Sequence, residues 1–113
     1  MIIEAILKIN PNAEVTVNAD DINQITWHNG TTPISVADIE AQLPIVEFDM
    51  AMADLRAKRN KLLADSDWEV IMAKEKGTTL SAGFKTYRQA LRDITNGLTT
   101  VEDVNAVTWP TKP

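Results

Sequence analysis

Phe48, Met52, Leu55 and Leu62 fall on one stripe of a helical wheel, and Phe84, Tyr87, Leu91 and Ile94 fall on another. Two amphipathic helices, each with a face that must be buried, restrict the second half of the chain more than any other feature. The first is predicted from about Val46 to Ala64, with Arg56, Lys58 and Lys61 off the apolar stripe. Asp65-Ser66-Asp67 is expected to interrupt it and to cap a further helix from Trp68 to about Glu75, which stops at Gly77. Ser81 caps the second amphipathic helix, and Asn96-Gly97 closes it. Beyond Leu98 a short extended piece, Asn105 to Trp109, leads into Pro110 and Pro113.

The first half reads differently. Ile2 to Ile9 is a short, β-branched run that ends in Asn10-Pro11-Asn12, which favours a strand. Glu14 to Asn18 alternates with period two, and Ile25 to Trp27 is a third short strand before the turn residues His28-Asn29-Gly30. Ser35 and Asp38 start a short helix, Val36 to Gln42, that Pro44 should end. The expected fold is therefore α+β: a small N-terminal antiparallel β meander, a C-terminal helical hairpin, and a Pro-rich extended tail. Residues 1–45 would form the β module with its short helix, and residues 46–113 the helical module. The hairpin is expected to pack Phe48, Met52, Leu55 and Leu62 against Phe84, Tyr87, Leu91 and Ile94.

Composition narrows the function. At 113 residues the chain has the length of one domain, alone or with a small appendage, and its lack of cysteine excludes a disulfide framework and thiolate metal sites. Met1 to Asp54 carries nine acids and one base, net −8; Leu55 to Pro113 carries ten bases and seven acids, net +3, which together give the chain's −5. A net-acidic chain disfavours nucleic acid as a partner. The division reads either as two parts that fold together or face water, or as an acidic docking surface. No apolar run spans a membrane, and Met1 to Ile9 lacks the basic start of a signal peptide.

No enzyme signature emerges. The single histidine, His28, sits in a turn with no nucleophile at helper spacing. Asp20-Asp21 and Asp65-Ser66-Asp67 lack the glycine and downstream glutamate of a calcium loop and read as caps and turns. Gly77-Thr78-Thr79 lacks the spacing of a phosphate loop. No metal ligand set, cofactor site or catalytic residue is assigned. Trp27 and Trp68 read as core or capping residues, whereas Trp109, followed by proline, either folds back on the helices or inserts into a partner. Arg59-Asn60 and Arg88-Gln89 read as interhelix clamps to acids such as Asp67 or Asp93, or as recognition residues.

Three blocks extend this reading. LRAKRNKLLADSDW (Leu55 to Trp68), YRQALRDI (Tyr87 to Ile94) and VTWPTKP (Val107 to Pro113) resemble, in this order, the blocks of the phage tail assembly chaperone family. ITWHNGTTPISVADIEAQ (Ile25 to Gln42) is similar to short N-terminal modules of other small phage tail-region proteins. The chain departs from the family between Trp68 and Tyr87, where Phe84 stands in place of a tryptophan. The resemblance implies a non-catalytic protein that binds a tail fibre or other tail protein and assists its assembly or attachment. It implies a place in the host cytoplasm during assembly, with self-association open. The alternative is a permanent structural adaptor kept in the virion tail. The expected interface is the basic side of the last long helix, Arg88 and Arg92, with Trp109 and Pro110, or else the free edge of the meander.

Overall fold

The structure, a computed structural model, describes residues 1–113. The elements in chain order are α1 (Ile2–Ile9), β1 (Val15–Val17), β2 (Ile25–Trp27), α2 (Val36–Glu75), α3 (Ala82–Asp93) and α4 (Val101–Asn105). Helix makes up 60% of the chain and strand 5%, so the expected α+β meander-and-hairpin architecture is corrected to a mostly helical one with a single two-stranded sheet. The chain divides into two compact units, Met1–Met50 and Ala51–Pro113, and α2 runs through the boundary.

In the first unit, the segment expected as the first strand is α1. Its buried residues are Ile2, Ala5 and Ile6, spaced three and four apart as on one helical face, while Glu4 and Lys8 stay exposed. Period outweighed the β-branched composition. Met1 offers no side-chain cap; Asp20 supplies one from 18 residues away, its Oδ1 accepting from the Ile2 N–H at 2.9 Å. Ala19 and Asp20 turn the chain there through the left-handed region, φ 54° and 52°. That hydrogen bond, then the nearby terminal ammonium, holds the Asp20 carboxyl below its usual range.

β1 and β2 pair antiparallel in the register Val15–Trp27, Thr16–Thr26 and Val17–Ile25. Val15, Val17, Ile25 and Trp27 lean on a core of Ile2, Ala5, Ile6, Ile39 and Val46, while both threonines face out. Lys8, the one base of this unit, is paired with Asp49 at 2.9 Å.

The short helix expected to end at Pro44 instead continues to Glu75 as one element of 40 residues. Proline within a helix costs about 3 kcal/mol through its missing N–H and its clash with the preceding turn. Glu40, whose carbonyl loses its partner, is exposed, as is Pro44 itself, so water is at hand. Ile39 and Val46 on either side are 0% and 2% exposed, and burying two such side chains returns about 3–6 kcal/mol.

Asp65-Ser66-Asp67 does not break the helix either. Ser66 is buried, and its hydroxyl donates to the Leu63 carbonyl at 2.9 Å. The helix stops at Gly77, φ 68°: its N–H donates to Lys74 O, and that of Thr78 to Ala73 O at 2.9 Å. This paired closure needs a left-handed residue at Gly77.

In the second unit, Ser81 Oγ accepts from the Phe84 N–H and starts α3. The expected extended piece near Asn105 is corrected in part: Val101–Asn105 is α4, opened by a capping box in which Thr100 and Asp103 each accept from the other's backbone. Phe84, Tyr87 and Leu91 form the core with Leu62, Leu63, Leu80 and Trp109 against them, and Phe84 and Tyr87 meet edge to face at 5.8 Å. Met52 and Leu55 are buried as well. Leu62 thus meets the expected α3 face, while Phe48 belongs to the first unit.

Candidate partner-binding face

The four residues expected at an interface all lie in the second unit, but they divide by environment. Arg88 projects from α3 and is spent inside the molecule. Its Nη1 donates to the Leu63 carbonyl at 3.0 Å and to Ser66 Oγ, and its Nη2 donates to Asp67 Oδ1 at 2.8 Å. With its side chain only 15% exposed, Arg88 fastens α3 to the stretch of α2 where the aspartates and serine stand. The planar guanidinium suits this role because it reaches a carbonyl, a hydroxyl and a carboxylate at once. Arg92, one turn on, is exposed and donates to Gln89 of its own helix at 2.8 Å. Gln89 in turn donates to Asp93 at 3.0 Å.

Trp109 and Pro110 are half-buried. The indole packs against the Phe84, Tyr87 and Leu91 core and carries Lys58 Nζ 4.4 Å from its ring centroid. It also walls an open groove of about 480 Å³, with Leu55, Lys58 and Asp54 from α2, Val104 from α4, and Val107. The groove is apolar at its floor and carries one charge of each sign at its rim. A second groove, about 280 Å³, lies among Trp68, Met72, Leu80, Phe84 and Lys76.

Trp68 is what sequence reasoning misplaced. Read as core or cap, it is 53% exposed, and Ile71, one turn further, is 58% exposed. A signal existed: by the 100° step of the helix, Trp68 lies roughly 150° away from the stripe of Met52, Leu55 and Leu62. Reading the aspartates as a break reset that phase and hid it.

The remaining candidates have structural partners. Thr16 Oγ1 and His28 Nε2 are hydrogen-bonded across the sheet at 2.7 Å. Asp20 caps α1, Asp21 accepts from Asn23 N–H and the Gln24 amide, and Asp67 holds Arg88. No group of three His, Cys, Asp or Glu side chains is placed to hold a metal ion, and no helix is long and apolar enough to cross a membrane.

No curated protein and no solved structure matched the chain. A family model described as phage tail assembly chaperone protein matches residues 52–113, more than half of the chain and nearly the whole of the second unit. The match takes in Arg88 with its partners on α2, and the segment that carries Trp109. On that match, the chain belongs to the phage tail assembly chaperone family.

Proposed function

We infer that this chain is a non-catalytic binding protein that holds a tail fibre or another tail protein while the tail is built in the host cytoplasm. Family membership supports a role in tail assembly. The observation that carries the binding reading is the groove walled by Trp109, within the part of the chain that the family covers. An indole beside an aliphatic floor, with Lys58 and Asp54 at the rim, has the make-up of an anchoring pocket at a protein interface. Arg92 and Pro110 extend this face in the proposal. Arg88 contributes to it by holding α3 in place.

The test is co-purification of the protein with the tail proteins of its own phage, beside its copy number in salt-washed virions. Trp109→Ala with Arg92→Glu should lower recovery of the bound tail protein at least tenfold while leaving the helical circular dichroism unchanged. Recovery equal to wild type would remove this face from the binding reading. Absence from virions fits a chaperone that departs, and a fixed ratio to a fibre or tail protein would make it a retained adaptor.

A further inference from the structure

Residues 107–113 are held in an unusual way. The Val107 N–H, donating to Val104 O at 3.4 Å, makes the last backbone–backbone hydrogen bond of the chain. Beyond it the segment is fastened by side chains. Trp109 packs against Phe84, Tyr87 and Leu91 of α3 and lies under Lys58. Lys112 Nζ pairs with Glu69 at 3.2 Å and lies 5.9 Å from the Phe84 ring centroid. Pro113 closes the contact over α3: a Cβ on Gly83 would stand 3.8 Å from its Cγ.

Backbone without hydrogen bonds, fixed by one ring and one half-exposed ion pair, belongs to the least stable end of a structure's local stabilities. Pro110 and Pro113 have no N–H to offer, and Pro110 stiffens the segment, so it should leave as a unit rather than fray residue by residue. Its departure would uncover part of the Phe84, Tyr87 and Leu91 core, and would free the indole of Trp109 together with the charges of Lys58 and Glu69.

The geometry points to Val107–Pro113 as a releasable strap: closed, it keeps Trp109 against its own helices as one wall of the groove, and open, it frees that indole and uncovers the groove's Leu55 and Val104 floor, so that the tail protein meets both. The masking half rests on the binding reading above; the release half does not. The closed strap gives a protein awaiting its partner a covered apolar surface, which limits self-association through it.

The protein has one tryptophan in each of three settings, so the full chain labelled with 5-fluorotryptophan reports release directly by ¹⁹F NMR. Trp68 supplies a solvent-exposed reference and Trp27 a fold reference in the first unit. In rising urea the Trp109 resonance should reach a solvent-exposed position roughly 1 M before Trp27 and the helical signal change. Glu69→Lys should widen that gap. Coincident transitions of all three probes, or a gap that Glu69→Lys leaves unchanged, would overturn release.

Because the chain has no cysteine, Gly83→Cys with Pro113→Cys introduces a single pair: a Cβ on Gly83 would stand 3.8 Å from Pro113 Cγ, an atom one bond beyond Cβ, and the Cβ atoms of a disulfide stand about 3.5–4.5 Å apart. Oxidised, this variant should lose the early Trp109 transition and bind the purified tail protein at least tenfold more weakly, with both restored by reduction. Equal binding by the two forms would overturn masking. Release without binding in either form would leave the strap standing and sink the partner reading.

Discussion

Arg88 and Arg92 stand four residues apart on one helix and have different occupations. Arg88 is enclosed by a carbonyl, a hydroxyl and a carboxylate of α2, and Arg92 reaches only Gln89 beside it. Hydrogen bonds to a charged group contribute about 1.5–3 kcal/mol each, less where the acceptor is half-exposed as Asp67 is. Arg88→Ala should therefore destabilise the protein by about 2–3 kcal/mol in urea unfolding, and Arg88→Lys should restore only a minor part, since an ammonium lacks the forked geometry. Arg92→Ala should stay within about 0.5 kcal/mol. Equal costs for the two alanines would refute the division between clamp and surface. The clamp was legible in sequence as one of two readings, because a guanidinium near an interhelix seam tends to find an acid. Which arginine is enclosed was not: that depends on where Asp67 lies on α2, and the aspartates had been placed outside the helix.

Local signals decided the ends of elements better than their interiors. Ser35, Ser81 and Gly77 act where their chemistry suggests, through a hydroxyl accepting a backbone N–H and a glycine free to take positive φ. Pro44 and the Asp65–Asp67 run mislead because a cap or break signal inside a helix competes with tertiary burial, which a local reading does not see. α1 misled by composition, its isoleucines outvoting their own spacing.

The capping box of α4, Thr100 with Asp103, was present in the sequence and passed over. Asp103 accepts from the Thr99 N–H and hydroxyl, both at 3.0 Å, and from the Thr100 N–H at 3.2 Å. These bonds, led by the Thr99 N–H, hold its carboxyl below the usual range. A carboxyl lowered in the folded state stabilises fully above its unfolded value, near pH 4, and that stabilisation is lost as pH falls through the lowered one. Amide exchange in Val101–Asn105 should thus accelerate selectively as pH falls below about 4, after correction for intrinsic rates. Asp103→Asn should abolish that selectivity. Protection of α4 that does not change from pH 6 to pH 2.5 would contradict the cap.

For the whole molecule, the charge division was visible in sequence, and the structure gives it a boundary: Met1–Met50 holds eight acids against Lys8. The family match begins two residues after that boundary and covers nearly the whole of the second unit. Each also closes a core of its own. Ile2, Ala5, Ile6, Ile39 and Val46 belong to the first unit, and Phe84, Tyr87 and Leu91 to the second. The sequence did not reveal that one unbroken helix serves both, since Pro44 and the aspartates suggested three shorter ones. Two cores threaded by one helix make cooperativity a measurable question. Leu91 is fully buried, and Leu91→Ala should cost about 2–5 kcal/mol by lost burial and the cavity left behind. If each core stabilises its own unit, hydrogen exchange in this variant should rise strongly in α3 and in the part of α2 beyond Ala51, and little in α1 and the β1–β2 ladder. Ile6→Ala should give the converse pattern. A uniform rise across all helices in both variants would instead mean that α2 transmits the loss along its length, and that the protein folds as one cooperative body despite its two cores.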